Sequence, residues 1–255
     1  MSEHVLIECV DRVLNIKLNR PEKKNALTQA MYSSMAAAIN EANDDNDVRV
    51  IYLTGSADSF CSGNDIQDFL GDPPADGESP VLKFVNAIVH AEKPMVAAVN
   101  GIAVGIGVTM LLHCDLVYAS EDARFQLPFV NIGVCPEAAS SFILPFLVGH
   151  RKASEWLLLG ERFDAHAACE AGVVNSVIPA AKLEESALQA VNRIVAQPPA
   201  AVRTTKALLR ASMHEQLQAA RGREDQHFLP MLLGEEAREA MTAFMEKRAP
   251  DFSRF

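Results

Sequence analysis

The order of strand-like and helical segments predicts an α/β fold with a helical C-terminal region. Strands and helices alternate over the first two-thirds of the chain, and helical patterns then dominate as far as Lys247. The chain has 255 residues, 49% of them apolar, so it is long enough to bury a full core. We therefore expect repeated strand–helix units over residues 1–195 and a helical region over residues 196–255.

The first segments predict a hairpin, a helix and a buried strand. His4 to Val10 and Arg12 to Leu18 alternate apolar and polar residues around Asp11, as two paired strands do. After a loop, Thr28 is suited to be the N-cap residue of an amphipathic helix. Val48 to Leu53 is an apolar run of strand length that ends in a turn.

Two glycine turns occupy the middle of the chain. The first contains Gly63, and the second contains Gly105 and Gly107 between the apolar strand Met95 to Val99 and the apolar helical run Val108 to Leu112. Glycines at a strand-to-helix junction let the backbone approach a ligand and leave N–H groups pointing outward. The turns therefore indicate a site for an oxygen that acquires negative charge, although a tightly packed strand–helix corner would need the same glycines.

The remaining segments continue the alternation. Gly71 to Pro80 has the composition of a loop, which either moves freely on the surface or closes over the site as a lid. Strongly apolar segments of the C-terminal helices need a partner surface, so we expect an oligomer. The other predicted elements are helices over Val81 to His90, Glu137 to Val148, Arg151 to Leu159 and Ala165 to Ala171, and strands over Asp115 to Ala119, Arg124 to Gln126 and Val173 to Ile178.

The charge balance and the cysteines exclude several classes of function. A net charge of -10 makes nucleic acid and anionic membranes poor general partners. The five cysteines are widely spaced and form no metal-ligand pattern, as expected of reduced thiols in a cytosolic protein. The first residues lack a signal-peptide pattern, and no apolar run reaches membrane-spanning length. We expect a soluble cytoplasmic protein without a metal site.

Four stretches of the chain resemble the crotonase (enoyl-CoA hydratase/isomerase) superfamily. They read NRPEKKNALT, SFCSGNDIQDF, KPMVAAVNGIAVGIGVTMLLHCDLVYAS and FMEKRAPDF, and the similarity covers nearly the whole chain. The resemblance implies a spiral of ββα units with a C-terminal helical trimerisation region, in a homotrimer or a dimer of trimers. It also implies an acyl-CoA thioester as the substrate, so that coenzyme A is part of the substrate and no separate cofactor is expected.

The resemblance assigns a role to both glycine turns. In the family, one backbone N–H from each turn binds the thioester oxygen, and the matching residues here are Ser62, before Gly63, and Ile106, between Gly105 and Gly107. Removal of a proton next to the thioester carbonyl places charge on that oxygen, and one such donor stabilises it by roughly 3–4 kcal/mol. Because the donors are backbone groups, the β-branched side chain of Ile106 does not prevent this role.

The acidic residues decide which reaction of the family is expected. Hydratases of the family carry two catalytic glutamates, and the matching positions here hold Thr109 and Phe129, so hydration is not expected. The segment CPEAASS, Cys135 to Ser141, instead resembles the S-P-E-G-C-S-S segment of peroxisomal-type Δ3,Δ2-enoyl-CoA isomerases, which makes Glu137 the catalytic acid/base. Pro-Glu is also a common pair in the first turn of a helix, which is the structural alternative.

The resemblance implies a single-base isomerisation. Glu137 would remove a C2 proton from a 3-enoyl-CoA and return it at C4, giving the trans-2-enoyl-CoA of fatty acid β-oxidation. An apolar wall of Phe129, Phe142 and Ile143 would raise the pKa of Glu137 and a helix N-terminus would lower it, and the sequence leaves open which effect is larger. The alternatives are hydration or thioester hydrolysis with the same oxyanion hole, and a non-catalytic acyl-CoA-binding module.

The resemblance also implies contacts with the coenzyme A part of the substrate. The family places Lys24 against the nucleotide and lets Lys247 of a neighbouring subunit reach a phosphate, although either lysine would be ordinary on a solvated surface. Asp65 is more typical of a turn than of a catalytic acid, and His113 is expected to be a hydrogen-bonded core residue. The expected contacts are Lys24, Asn25, Ala26, Leu27, Ser62, Gly63, Asn64, Asp65, Ile66, Gly105, Phe129 and Lys247.

Overall fold

The computed structural model describes residues 2–65, 68 and 79–255. In this part of the chain the strands form one sheet of six and one of four. In chain order they are β1 (Val5–Val10), β2 (Val13–Leu18), β3 (Val50–Gly55), β4 (Ser59–Cys61), β5 (Met95–Val99), β6 (Ile102–Val104), β7 (Leu116–Ser120), β8 (Arg124–Gln126), β9 (Arg162–Asp164) and β10 (Ser176–Ile178). The described helices are α1 (Gln29–Asp44), α2 (Pro80–Val89), α3 (Ile106–Thr109), α4 (Ser140–Val148), α5 (His150–Leu159), α6 (Ala165–Glu170), α7 (Leu183–Val195), α8 (Pro199–Ala211), α9 (His214–Leu232) and α10 (Glu235–Glu246).

The larger sheet begins with the predicted hairpin. β1 and β2 pair antiparallel over their full length. Asp11 and Arg12 form the turn between them with φ angles of 50° and 68°, the left-handed values that such a tight turn requires. The other strands add in parallel, so that the order across the sheet is β1-β2-β3-β5-β7-β10.

The chain passes repeatedly from the larger sheet to the smaller one. β3 runs into β4, β5 into β6, and β7 into β8, and in each pair the second strand belongs to the smaller sheet. α2 and α3 lie between these pairs and return the chain to the larger sheet. β4, β6 and β8 pair in parallel with one another. These repeats are the ββα spiral that the sequence predicts.

Both faces of the larger sheet are covered. On one face, Tyr52 and Val96 pack against the apolar side of α7. On the other face lies the main core, in which Phe84 of α2 is fully buried. The same core extends to Leu232 and Met241 of the C-terminal helices. The last helices are thus packed onto the strand–helix core, and the boundary at residue 195 stays a prediction.

The local elements follow the sequence closely, with one difference that concerns the site. Thr28 is the N-cap residue of α1 as predicted, because its hydroxyl accepts the N–H of Met31 at 3.3 Å. The helix predicted from Glu137, however, begins only at Ser140. Ala139, the residue before it, has a left-handed φ of 59°, which a helix does not contain. Glu137 therefore lies in a loop and not in the first helical turn.

Several large apolar side chains stay exposed on the helices of the last half of the chain. They belong to α4, α5, α8 and α10, and the predicted oligomer would cover such residues. The oligomeric state remains a prediction. No helix in the described ranges combines the length and the apolar character that crossing a bilayer requires. The most exposed examples are Phe146, Leu158, Leu208, Leu209 and Phe244.

One glycine of the second turn tests how tightly this turn packs against the end of β4. A Cβ atom at Gly107 would lie 2.5 Å from the carbonyl oxygen of Cys61, a backbone atom that has no room to move. We expect Gly107→Ala to lower the free energy of unfolding by about 1–3 kcal/mol, the usual effect of overpacking a core. The measurement is denaturant-induced unfolding of the purified variants.

The matched control is Gly222→Ala in the middle of α9. A Cβ atom there meets open space, so alanine should raise the free energy of unfolding by about 0.5–1 kcal/mol through its better helix propensity. Equal stability of the two variants would contradict the close contact between the glycine turn and Cys61.

Candidate active site

The two glycine turns lie against each other. They follow β4 and β6, which are neighbours in the smaller sheet. Gly63 has a φ of 94°, and a Cβ atom there would lie 3.2 Å from the carbonyl oxygen of Val104. Gly107 packs even more closely on the carbonyl of Cys61, where a Cβ atom would lie 2.5 Å from the oxygen. The spacing predicted from the sequence therefore does bring both turns to one place.

The hydrogen bonds of the first turn change the assignment of its donor. The N–H of Ser62 donates to the carbonyl oxygen of Lys24 at 3.1 Å, so it is not free to bind a substrate oxygen. Leu27 and Asn64 form a short parallel bridge, in which Leu27 donates to Gly63 and accepts from Asp65. The N–H of Asn64 points away from that bridge and has no acceptor among the described residues. The prediction for Ser62 thus conflicts with its hydrogen bond, and Asn64 offers the free donor.

The second turn contains the other predicted donor, Ile106, which stays a prediction. Gly105 has a φ of 55°, and its N–H donates to the carbonyl oxygen of Gln126 at 2.9 Å. Ile106 is the first residue of α3, where backbone N–H groups have no partner within the helix. Its N–H also has no acceptor among the residues that the structure describes.

A cavity of about 410 Å³ opens beside both turns. Asn64, Gly105 and Ile106 line it on one side, and Glu137 reaches it from the loop before α4. Helices α9 and α10 of the C-terminal region close the other side. The lining is mostly apolar, with Val81, Val85, Phe129, Phe228, Leu232 and Met241 among its side chains.

Glu137 is held in this cavity by one side-chain hydrogen bond. The hydroxyl of Thr109 donates to Oε1 of Glu137. Burial raises the pKa of Glu137 to about 8; the bond from Thr109 lowers it, and the nearby carboxyl groups of Glu224 and Asp225 raise it further. The effect of burial therefore outweighs the stabilising hydrogen bond, which the sequence alone could not decide.

The backbone around Glu137 is also fixed. The carbonyl oxygen of Glu137 accepts from the Ser140 hydroxyl at 2.6 Å. His113 is buried, and its Nε2 lies 2.8 Å from the carbonyl oxygen of Ala138. Burial lowers the pKa of His113 to about 4, so the neutral ring donates Nε2–H to that carbonyl. The prediction of a hydrogen-bonded core histidine is confirmed.

The predicted apolar wall is only partly correct. Phe129 lines the cavity with Glu137. Phe142 and Ile143 do not line it; they pack in a separate cluster that includes Leu217 and Ala220 of α9. Both residues belong to α4, and their side chains pack against α9 and not against the cavity.

The loop from Lys24 to Leu27 divides into an exposed and a buried part. Lys24 is exposed in a left-handed conformation, whereas Leu27 is buried. Asn25 is fully buried, and its Oδ1 accepts from the Arg20 N–H at 2.9 Å. Its Nδ2 donates to the carbonyl oxygen of Ser59 at 2.7 Å. The Asn25 side chain is thus committed to the fold, so any contact of this loop with coenzyme A would use its backbone or its exposed residues, and the contact stays a prediction.

The other predicted contacts have different surroundings. Asp65 forms an ion pair with Arg20 at 2.6 Å, as expected of a structural residue. The side-chain oxygen of Asn64 accepts from the hydroxyl of Tyr32. Lys247 is exposed at the end of α10, one turn beyond Phe244, which lines the cavity. Ala26 is half-buried, and Ile66 and residues 71–78 of the predicted loop lie outside the described residues.

Three residues of the site have no role in the sequence prediction. The sequence prediction mentions Thr109 only because it stands where hydratases carry a glutamate. That position is itself the signal that the Thr109 side chain could lie beside Glu137. Glu224 and Asp225 lie on α9, more than 80 residues along the chain, and no local pattern connects them with Glu137.

Known proteins resemble this chain over nearly its whole length. A family model described as Enoyl-CoA hydratase/isomerase matches residues 8–254. Enoyl-CoA delta isomerase 2 of Rattus norvegicus is 35% identical over 253 residues, covering 97% of this chain but 64% of the rat protein, so the chain spans less than two-thirds of that relative. 2,3-Dehydroadipyl-CoA hydratase of Escherichia coli (strain K12) is 36% identical over 253 residues, covering 99% of each chain.

The solved structures agree with the fold. OdaA of Pseudomonas aeruginosa is 46% identical and superposes with a TM-score of 0.93, covering 96% of this chain and 99% of that one. The relatives include both isomerases and hydratases by name, so they identify the family and not the reaction. With its ββα spiral, paired glycine turns and C-terminal helices, the chain belongs to the crotonase (enoyl-CoA hydratase/isomerase) superfamily.

Proposed function

We propose that the protein is an enoyl-CoA isomerase that converts a 3-enoyl-CoA to the trans-2-enoyl-CoA. The observation that carries the proposal is the cavity itself, which joins the half-buried carboxyl group of Glu137 to two free backbone donors. The positions of the two hydratase glutamates hold Thr109 and Phe129 instead. A relative that shares 35% identity is named enoyl-CoA delta isomerase 2, which supports the same reaction.

The proposed reaction is a proton transfer between two carbons of the acyl chain. The carboxylate of Glu137 takes a proton from C2, and the electrons of that C–H bond form a dienolate whose charge rests on the thioester oxygen. The N–H groups of Asn64 and Ile106 donate to that oxygen. Glu137 then returns the proton to C4, which leaves the double bond between C2 and C3. One base is enough because C2 and C4 belong to the same conjugated system.

Burial suits Glu137 to this role. A carboxylate whose pKa lies near 8 is a stronger base than an ordinary one, and it still ionises near neutral pH. The protonated form is likewise stable enough to exist between the two transfers. The proposed step uses only groups of the chain and the substrate.

Hydration is the second candidate, because the cavity contains another carboxyl group. Asp225 lines it, and burial raises the pKa of Asp225. Its Oδ2 lies 3.7 Å from Nε of Arg221 on the same helix. If Asp225 held and activated a water molecule, Glu137 and Asp225 together would form the acid/base pair that hydration needs.

The first experiment compares the wild-type protein with Glu137→Gln on a 3-enoyl-CoA, with 2-enoyl and 3-hydroxyacyl products separated by chromatography. We expect the wild type to form 2-enoyl-CoA and the variant to lose about 10²–10⁴-fold in kcat, the usual contribution of a general base. Asp225→Asn serves as the control and should keep the isomerase activity. In a parallel assay that starts from 2-enoyl-CoA, a 3-hydroxyacyl product that the wild type forms and both variants lose would establish the hydratase instead.

The pH dependence tests the hydrogen bond from Thr109. Because only the ionised form of Glu137 accepts the C2 proton, kcat/KM should rise with pH through a pKa of about 8. The Thr109 hydroxyl stabilises the carboxylate, so Thr109→Val should raise the pKa and move this rise to higher pH. Thr109→Ser keeps the hydroxyl and should leave the profile unchanged. An unshifted profile in Thr109→Val would show that Glu137 is not the titrating base.

The cavity lining favours an uncharged acyl group. None of the described residues that line it is Lys, Arg or His, whereas Glu137 and Asp225 are acidic. The stretch from Ile66 to Glu78 contains no basic residue either. A terminal carboxylate on the acyl chain would therefore lose its hydration without gaining a cation.

This preference is measurable with two substrates of equal chain length. We expect kcat/KM for 3-hexenoyl-CoA to exceed that for the ω-carboxylated analogue by about 100-fold, equivalent to roughly 2.7 kcal/mol. Asp225→Asn should reduce this ratio, because it removes the negative charge of the second carboxyl group in the lining. Equal kcat/KM values for both substrates in the wild type would contradict the assignment.

A further inference from the structure

A buried carboxylate outside the proposed chemistry holds the loop that carries Glu137. Glu224 extends from α9 and is 5% exposed. Its Oε2 accepts the N–H of Ala139 at 2.6 Å, and its Oε1 accepts the N–H of Ser141 at 2.8 Å. Both oxygens of one carboxylate thus bind the backbone immediately after Glu137.

The start of α4 needs a hydrogen-bond acceptor from another part of the chain. Ser140 begins α4, whose first N–H groups have no partner within the helix. The residue at the N-cap position is Ala139, and its side chain cannot accept a hydrogen bond. Glu224 supplies the missing acceptor from a helix more than 80 residues further along the chain.

The backbone conformation here also requires support. Ala138 and Ala139 have φ angles of 55° and 59°, in the left-handed region that residues with a Cβ atom avoid. Such a conformation persists only where the surroundings hold it in place. His113 holds the Ala138 carbonyl, and Glu224 holds the Ala139 N–H, so the corner is fixed from two elements.

We propose that Glu224 is a positioning residue: its carboxylate fixes the Ala138–Ala139 corner and thereby directs the Glu137 carboxyl group into the cavity. The part of this proposal that concerns turnover depends on the proposed isomerase function. The part that concerns the loop does not depend on that function, because hydrogen exchange of the loop amides is measured separately from turnover.

The neighbouring charge gives the proposal a second signature. The negative charge of Glu224 contributes to raising the pKa of Glu137, after the larger effect of burial. Its removal in Glu224→Gln should therefore lower that pKa and move the rise of kcat/KM to lower pH. This direction is opposite to the one expected for Thr109→Val. A carboxylate too far from Glu137 for its charge to act there would not move the profile.

The experiment compares Glu224→Ala and Glu224→Gln with a control variant, Asp164→Asn. Asp164 is also a carboxylate that accepts an N–H at the start of a helix, from Ala167 at 2.8 Å, but it does not line the cavity. The readouts are hydrogen exchange of the amides of Ala139 and Ser141, kcat and KM on a 3-enoyl-CoA, and the pH profile.

We expect Glu224→Ala to speed exchange of both amides at least tenfold and to lower kcat by about 10–100-fold, with KM changed by less than about threefold. Glu224→Gln keeps one carbonyl oxygen as an acceptor, so its kcat and exchange rates should lie between those of the wild type and of Glu224→Ala, and it provides a folded variant if the alanine variant does not fold. Asp164→Asn should leave the exchange of the two amides, kcat and the pH profile unchanged.

Failure of the Glu224 proposal can be distinguished from failure of the proposed isomerase function. Unchanged exchange of the Ala139 and Ser141 amides in both Glu224 variants would overturn the proposal, as would an unchanged kcat in an active enzyme. If the wild type has no isomerase activity but exchange accelerates in the variants, the proposed function fails while the role of Glu224 in holding the loop stands.

Discussion

The site depends on the direct contact between two glycine turns. Gly107 lies so close to the carbonyl of Cys61, and Gly63 to that of Val104, that a side chain on the second turn would separate them. The parallel pairing of β4 and β6 brings the turns to the same edge of the smaller sheet. Two backbone N–H groups then point into one cavity without any side chain to place them. Such preorganised donors need little rearrangement when charge develops on the substrate.

The carboxyl group of Glu137 is subject to a different constraint. A carboxyl group surrounded by apolar side chains resists ionisation, and an uncompensated charge there would destabilise the fold. Thr109 reduces that cost with one hydrogen bond to Glu137, and the pKa consequently settles near 8 and not far above it. Phe129 keeps the opposite wall apolar. The pKa of Glu137 is thus a balance between burial, which raises it most, and the hydrogen bond from Thr109, which lowers it.

Local features of the structure were predictable, and contacts between distant segments were not. The hairpin around Asp11 and the N-cap at Thr28 follow from neighbouring residues alone, and so did the glycine turns. The predicted donor at Ser62 conflicts with its hydrogen bond to Lys24, nearly 40 residues earlier, which no motif records. The start of α4 was misplaced for a similar reason. Nothing near Ala139 in the sequence indicates that an acceptor from α9 holds it in a left-handed conformation.

Because of these distant contacts, the C-terminal helices form part of the site. The predicted division at residue 195 separates them from it. Phe228 and Leu232 of α9 close the cavity, and Glu224 of the same helix binds the backbone beside Glu137. Without α9 the start of α4 would lose its acceptor and the cavity would open to water, which would lower the pKa of Glu137 towards that of an ordinary carboxyl group. The glycine turns leave two backbone N–H groups without acceptors among the described residues of the core, whereas the surroundings of Glu137 are complete only when α9 packs against its loop.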